Sequence, residues 1–218
     1  MEKVTREKRI KKAISERIEK EKLELKTLIT NTSAELFLES GYDKFSLRKV
    51  AERIGYSPTT IYLYFKDKDD LLFSVLLDGF KIFHQMMSDG ANSTDNILDK
   101  INETGKAYIN FGLTHPVYYR VMFMERCDLL LKDMEDKYQD TPISNSFGLL
   151  ESLIQNGINQ GVLKSDLESN QLATLLWSLV HGIVSLHIMM PDFYTKEIVD
   201  INMNKSLKML TDSIRNNA

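Results

Sequence analysis

A single cysteine, Cys127, stands in the 218 residues. No intrachain disulfide can form, and a reducing, cytoplasmic setting is expected. The four histidines, His84, His115, His181 and His187, are scattered without ligand spacing, so no metal site is expected. Proline (four) and glycine (ten) are scarce, which removes the usual punctuation of turn-rich β chains. Strand-like alternation of useful length is missing, as is any internal repeat. The first 26 residues are charged throughout and lack the apolar stretch of a secretory signal. No P-loop, dinucleotide-binding glycine motif, nucleophile elbow or His-Glu-x-x-His zinc motif occurs, so neither enzymatic activity nor a cofactor is expected.

What is present is helix-forming and unevenly charged. Residues 1–68 carry 16 Lys and Arg against 11 Asp and Glu, whereas residues 69–218 carry 12 against 20. A basic front on an acidic back suggests two jobs, the front meeting a polyanion; ordinary scatter of charge is the plainer reading. Residues 1–24 mix Lys, Arg and Glu with sparse Ile10, Ile14 and Ile18. Glu2/Arg6, Glu7/Lys11 and Glu16/Lys20 are spaced as i,i+4 ion pairs of a solvated helical extension. From Leu25 the apolar period sharpens, with Leu25, Leu28, Ile29, Thr32, Leu36 and Phe37 on one face and Gly41 as the stop.

Two short helices follow around Gly55, the first opened by Ser46 and the second by Ser57 near 58–64, with Pro58 in its first turn. Ala51 is small where these helices cross, and Val50, Ile54, Ile61 and Phe65 supply a compact core. This pattern predicts a helix-turn-helix, whose second helix enters the DNA major groove. A helical hairpin with no nucleic-acid role has the same pattern. The exposed face of the second helix offers Ser57, Thr59, Thr60, Tyr62 and Tyr64, whose hydroxyls suit base edges and phosphates. Lys66 and Lys68 stand where a helix N-terminus also favours phosphate.

A longer helix begins at Asp67 or Lys68, with Leu72, Leu76, Gly79, Phe80, Phe83 and Met87 on one face. Further helices are expected at about 94–113, 116–124, 142–159, 168–190 and 193–215. Met203, Leu207, Leu210 and Ile214 form the stripe of the last. The acidic stretch 125–141 reads as a connection. Leu172 to Met190 is near bilayer length, but Thr174, Ser178, His181, Ser185 and His187 interrupt it and no Lys/Arg cluster flanks it. Burial in protein, with a subunit interface on one side, is the expectation, and no membrane partner is foreseen.

Residues 34–42 (AELFLESGY), 46–51 (SLRKVA) and 55–68 (GYSPTTIYLYFKDK), then Leu71 and Leu72, closely resemble the DNA-binding region of the TetR/AcrR family. The resemblance implies that Ser46, Lys49, Ser57, Pro58, Thr59, Thr60, Tyr62 and Lys68 face DNA, with Tyr62 and Lys68 on phosphates. Thr59 departs from the glycine many members carry there. The start, residues 1–24, exceeds the usual lead-in and is either an arm over the adjacent groove or a solvated extension. Residues 156–163 (NGINQGVL), 177–186 (WSLVHGIVSL) and 115–123 (HPVYYRVMF) resemble a TetR C-terminal domain carrying a Trp-His-Gly signature. Such domains hold a ligand pocket in each subunit and pair their last two helices into a dimer bundle.

Tyr108, Phe111, Tyr118, Met122, Phe123, Phe147, Leu150, Trp177 and His181 are the available lining for a largely apolar effector. Core packing accounts equally for any one of them, and for His181 a bond to a neighbouring hydroxyl is the main alternative. The fold expected is all-α: a DNA-binding helix-turn-helix domain over 1–68 with its charged extension, and a ligand-binding and dimerisation domain over 69–218. The expected function is a homodimeric transcriptional regulator, a repressor released from double-stranded operator DNA by a small molecule. A dimeric architectural protein without a ligand is the alternative. Leu207 and Leu210 are expected at the dimer face.

Overall fold

The computed structural model describes residues 2–125 and 141–215, the side chains of residues 2–5 and of Phe147 excepted. Apart from its two end residues, the acidic connection expected at 125–141 lies outside the described residues, and Cys127 with it. Among the described residues the secondary structure is helical, with one isolated bridge between Leu163 and Arg215. The chain forms two compact units, Met1–Leu76 and Leu77–Ala218.

In the first unit, α1 runs Glu2–Lys44 and is broken at Gly41, whose φ of 71° and ψ of 169° leave the helical region. Only glycine adopts this backbone readily, so it serves as the stop foreseen from sequence. The buried face of α1 holds Ile29, Thr30, Thr32, Ser33, Ala34, Leu36 and Phe37, while Leu28 is 43% exposed. Leu28 was expected on that face. The true stripe is centred one residue later, and it takes in hydroxyls because Ser33 and Thr30 donate to Ile29 O and Thr27 O of their own helix. Before it, the ion pairs among the described residues are Lys12–Glu16, Arg17–Glu21 and Lys20–Glu24, so Glu16 and Lys20 each take a partner other than one another, while the side chain of Glu2, expected to pair with Arg6, lies outside the described residues.

Helix α2 (Leu47–Ile54) starts at Ser46, whose side chain accepts from Lys49 N, and ends at Gly55 with φ 72°. Helix α3 (Pro58–Tyr62) starts at Ser57, whose side chain accepts from Thr60 N. It is shorter than the expected 58–64; the chain leaves α geometry at Leu63 through bonds from Leu63 N to Thr60 O and Tyr64 N to Ile61 O. Val50, Ala51 and Ile61 are fully buried and Phe65 nearly so, while Ile54 is only partly covered. Helix α4 (Lys68–Asn92) is opened by Asp67, whose carboxylate accepts from Asp69 N and Asp70 N. The boundary between the compact units falls within α4.

The second unit adds α5 (Ile97–Thr114), α6 (Pro116–Arg120), a π turn (Val121–Glu125), α7 (Pro142–Asn159), α8 (Ser169–Met189) and α9 (Lys196–Ile214). Asn96 caps α5 by accepting from Leu98 N and Asp99 N. Gly161, at φ 70°, follows α7, and Glu168 with Gln171 forms a capping box at α8. The helix expected at 116–124 is therefore α only to Arg120 and widens into i→i+5 geometry after it.

Among the described residues, α8 is one helix long and apolar enough to cross a membrane. It buries Leu172, Leu176, Val180, Ile183 and Val184 against its own unit and leaves Leu175, Leu186 and Met189 exposed. On α9, Ile198, Ile201 and Met209 are exposed, whereas Leu207 is 5% exposed and sits over Gly105 of α5. Leu210 packs on the core cluster of Ile97, Ile101, Ile154 and Leu176. The stripe Met203–Leu207–Leu210–Ile214 thus faces inward, which corrects the placing of Leu207 and Leu210 at a dimer face. A helix with two apolar sides shows its stripe on both, and periodicity cannot say which side meets its own subunit.

Candidate nucleic-acid interface and effector cavity

The first unit presents α3 on a rigid base. Ala51, fully buried, lets α2 and its neighbours approach, and Ile61 and Phe65 anchor α3 from below. Ser57 Oγ bonds both Thr60 N at 3.2 Å and Thr60 Oγ1 at 2.9 Å, so these two hydroxyls are largely occupied in the cap. Ser46 is likewise the cap of α2. Pro58, Thr59 and Tyr62 are exposed, as is Lys49 at the third position of α2. Two further exposed side chains flank α3, Tyr56 and Leu63, the latter 79% exposed. Leu63 falls four residues after Thr59, a helical-face spacing that sequence reasoning passed over because it sought polar readers.

Lys68 is partly buried. Its ammonium stands 3.7 Å from the Tyr42 ring centroid, and the Tyr42 hydroxyl bonds Asp69. This cation–π contact fixes the ammonium at the start of α4. Asp67 already accepts from the first free amides of α4, so the anion-binding helix end expected beside Lys66 and Lys68 is occupied by the protein's own carboxylate. Lys49 and Lys66 remain exposed cations on this unit.

The second unit holds a partly open cavity of about 230 Å³. From α5 it receives Ile101, Thr104, Gly105 and Tyr108, an i, i+3, i+4, i+7 face; from α8, Asn170, Ala173, Thr174 and Trp177 at the same spacing, with Leu176 and Val180. Phe83 and Met87 of α4, Ser146, Leu150 and Glu151 of α7, and Phe123 and Leu207 close it. Gly105 and Ala173 leave the space that larger side chains would fill. Of the residues expected to line a pocket, Tyr108, Phe123, Leu150 and Trp177 do so. The side chain of Phe147 lies outside the described residues.

Four others are placed elsewhere. Phe111, one turn beyond Tyr108, is fully buried between Phe83 and His115. Tyr118 and Met122 pack over Gly79, where a Cβ would meet Met122 Sδ at 2.6 Å and Tyr118 Cδ1 at 2.8 Å. His181 stands behind the wall, with Nδ1 2.6 Å from the Tyr119 hydroxyl and 3.2 Å from that of Tyr108. Its Nε2 is 3.2 Å from Ser185 Oγ. Phe83, Met87, Ile101 and Thr104 of α4 and α5 were not assigned to a pocket from sequence because they share the period of ordinary core.

A polar chain therefore runs from the wall into the core. Trp177 Nε1 donates to Tyr108 Oη at 3.0 Å, and Tyr108 and Tyr119 hydroxyls are 3.2 Å apart. Burial pushes the Tyr119 hydroxyl up to about 12 and that of Tyr108 well above the ordinary phenol value. Burial lowers the pKa of His181, favouring the neutral ring. Neutral His181 with Nδ1 accepting from Tyr119 carries its proton on Nε2, toward Ser185.

Each of the two units is similar to known proteins. Residues 29–75 match the family model described as bacterial regulatory proteins, tetR family, and residues 101–193 match that of the tetracyclin repressor-like C-terminal domain. The fatty acid metabolism regulator protein of Bacillus subtilis (strain 168) is 21% identical over 189 residues, 86% of this chain and 94% of that protein. The fatty acid degradation regulator FadR from Bacillus halodurans superimposes with a TM-score of 0.72 at 19% identity, covering 85% of this chain and 94% of that one. FadR from Bacillus subtilis, solved in complex with stearoyl-CoA, gives a TM-score of 0.71 at 21% identity, covering 87% and 99%. Two tetR-type matches, one on each compact unit and together spanning well over half of the residues, show that the chain belongs to the TetR family of bacterial regulatory proteins and is a DNA-binding transcriptional regulator.

Proposed function

We propose that this protein is a homodimeric repressor released from operator DNA by an apolar small molecule held in the second-unit cavity. The carrying observation is that cavity: about 230 Å³, walled by aromatic and aliphatic side chains from five helices and the π turn, with few polar groups. An architectural DNA-binding protein has no use for such a space. Likeness to the Bacillus fatty acid regulators makes long-chain acyl thioesters the first effector class to test. Trp177 on the wall and His181 one turn later support the Trp-His-Gly character of the C-terminal unit.

DNA binding is assigned to residues 1–68, with exposed Thr59 as a base reader, Tyr62 and Lys68 as phosphate partners, exposed Lys49 as a further contact, and Ser46, Ser57, Pro58 and Thr60 shaping the helix starts. Residues 69–218 hold effector and partner subunit, the latter through exposed Leu186, Met189, Ile201 and Met209. Because α4 begins at Lys68 and carries Phe83 and Met87 of the wall, one continuous helix offers a path from cavity to reader.

The test is fluorescence anisotropy on DNA from the region upstream of the protein's own gene. Palmitoyl-CoA is expected to weaken that complex about 5–150-fold, the usual range of such coupling. Operator DNA must then weaken palmitoyl-CoA binding by the same factor. Unchanged DNA affinity with palmitoyl-CoA bound in the cavity would overturn the repressor-release reading.

A further inference from the structure

Hydroxyls on the cavity wall are mostly spent on their own helices. Thr104 Oγ1 donates to Lys100 O at 2.8 Å, Ser146 Oγ to Pro142 O at 2.6 Å, and Thr174 Oγ1 to Asn170 O at 2.8 Å. A hydroxyl has one proton, so these three have none left for a guest. The indole N–H of Trp177 is likewise given to the Tyr108 oxygen at 3.0 Å.

Tyr108 differs. Its proton has two acceptors within reach, Tyr119 Oη and His181 Nδ1, each at 3.2 Å. In the neutral ring with its proton on Nε2, the single lone pair of Nδ1 is taken by the Tyr119 hydroxyl at 2.6 Å. The Tyr108 proton is left with Tyr119 Oη, a contact longer than a good O–H···O bond of about 2.5–3.0 Å. It is the least committed hydroxyl proton on the described wall, and turning it toward a guest leaves the Tyr119–His181–Ser185 bonds intact.

We propose that the Tyr108 hydroxyl, held in place by Trp177, donates a hydrogen bond to the effector from the buried side of the wall, and that it selects an apolar molecule carrying an uncharged acceptor oxygen, such as a carbonyl. This rests on the reading of the cavity as the effector site. Charge agrees: among the described lining residues the one ionisable group besides Tyr108 is Glu151, which would repel an anion. A buried acceptor without a counter-ion is best neutral. Burial of the phenol keeps it protonated, hence a donor, throughout the neutral range. In an acyl thioester, the carbonyl would meet Tyr108 and the phosphates would stay outside the cavity.

The probes are dodecan-2-one and its isostere 2-methyldodec-1-ene, which replaces C=O by C=CH2. Trp177, the sole tryptophan, reports binding by its fluorescence. The ketone-over-alkene preference of the wild type, divided by that of Tyr108→Phe, cancels their different water solubilities. The expected quotient is roughly fivefold, the effect of one neutral hydrogen bond. Thr104→Val, which removes another wall hydroxyl, should leave the wild-type preference unchanged. Should Tyr108→Phe fail to fold, the wild-type preference is compared with hexadecane–water partition of the same pair, which it should exceed in favour of the ketone. A quotient of one, or a preference lost in Thr104→Val, overturns the anchor while leaving the cavity reading standing. If neither probe binds the wild type, the cavity reading fails and the anchor with it.

Discussion

Gly112→Ala tests a close approach of α5 and α8 in the second unit. A Cβ at Gly112 would press on Val184 Cγ1 inside van der Waals distance and stand 3.1 Å from its Cγ2 and 3.2 Å from Tyr119 Cδ2. Val184 and Tyr119 are both fully buried, so neither can swing into solvent. The helices must part. Overpacking of this kind costs about 1–3 kcal/mol, and three close contacts put it in the upper half. Alanine recovers up to about 1 kcal/mol in helix propensity. The net loss is about 1–2 kcal/mol, or roughly 2–8 °C in Tm for a chain of this length. Thermal and urea unfolding at one protein concentration measure it. Because α5 and α8 carry Tyr108 and Trp177, the Trp177 emission should shift in the folded variant as well. Gly148→Ala, where a Cβ meets nothing within 4 Å, should be neutral or stabilising. Gly112→Ala combined with Val184→Ala should be more stable than the sum of the single changes by about 0.5–3 kcal/mol. Strict additivity, or a Gly112→Ala protein as stable as the wild type, would refute the close approach.

On the DNA side, Lys68→Ala should weaken operator binding and lower the salt slope by about one, with sequence preference kept. Thr59→Ala should instead change preference at one base pair, by about 1–3 kcal/mol if that contact is well made; binding titrations across salt and operator variants separate the two. Leu186→Glu or Met189→Glu should shift the protein toward monomer in native mass measurements while leaving its helicity intact. Leu207→Glu, buried over Gly105, should unfold the subunit instead. For His181, burial lowers the folded pKa, so as pH falls below about 6.5 the unfolded chain takes up a proton that the folded chain resists. Stability should therefore decline in that window, and His181→Gln should flatten the decline; parallel curves for the two proteins would contradict this.

Helix positions were legible from the chain because caps and period agree. Ser46, Gly55, Ser57 and Pro58 each sit where an end is observed, whereas the Asn96 cap went unread and its helix begins three residues later than the expected 94. The π turn was not legible, since 116–124 keeps the apolar rhythm of an α-helix and the extra residue per turn leaves no compositional mark. The cavity was legible in part. Large side chains such as Tyr108, Phe123 and Trp177 announce themselves, but a void is made by what is small, and Gly105 and Ala173 look like ordinary helix residues. Phe111 and Met122 are as apolar as the lining; their burial in solid packing follows from which neighbour faces them, not from their own chemistry. Leu207 illustrates the same limit, as its stripe could have faced either its own α5 or another subunit.

The widened turn at Val121–Glu125 also bears on how such a protein can diverge. A π turn is an α-helix with one residue too many, and Phe123, inside it, reaches the cavity wall. Losing one residue there would restore α geometry, and side chains inside the turn would be re-aimed by up to about 100°, the angle each helical residue subtends. Phe123, inside that turn, would be turned from its present place on the wall in a single mutational event. A one-residue deletion at this turn is therefore expected to reshape the cavity wall at a single position, which no single side-chain substitution does in the same way.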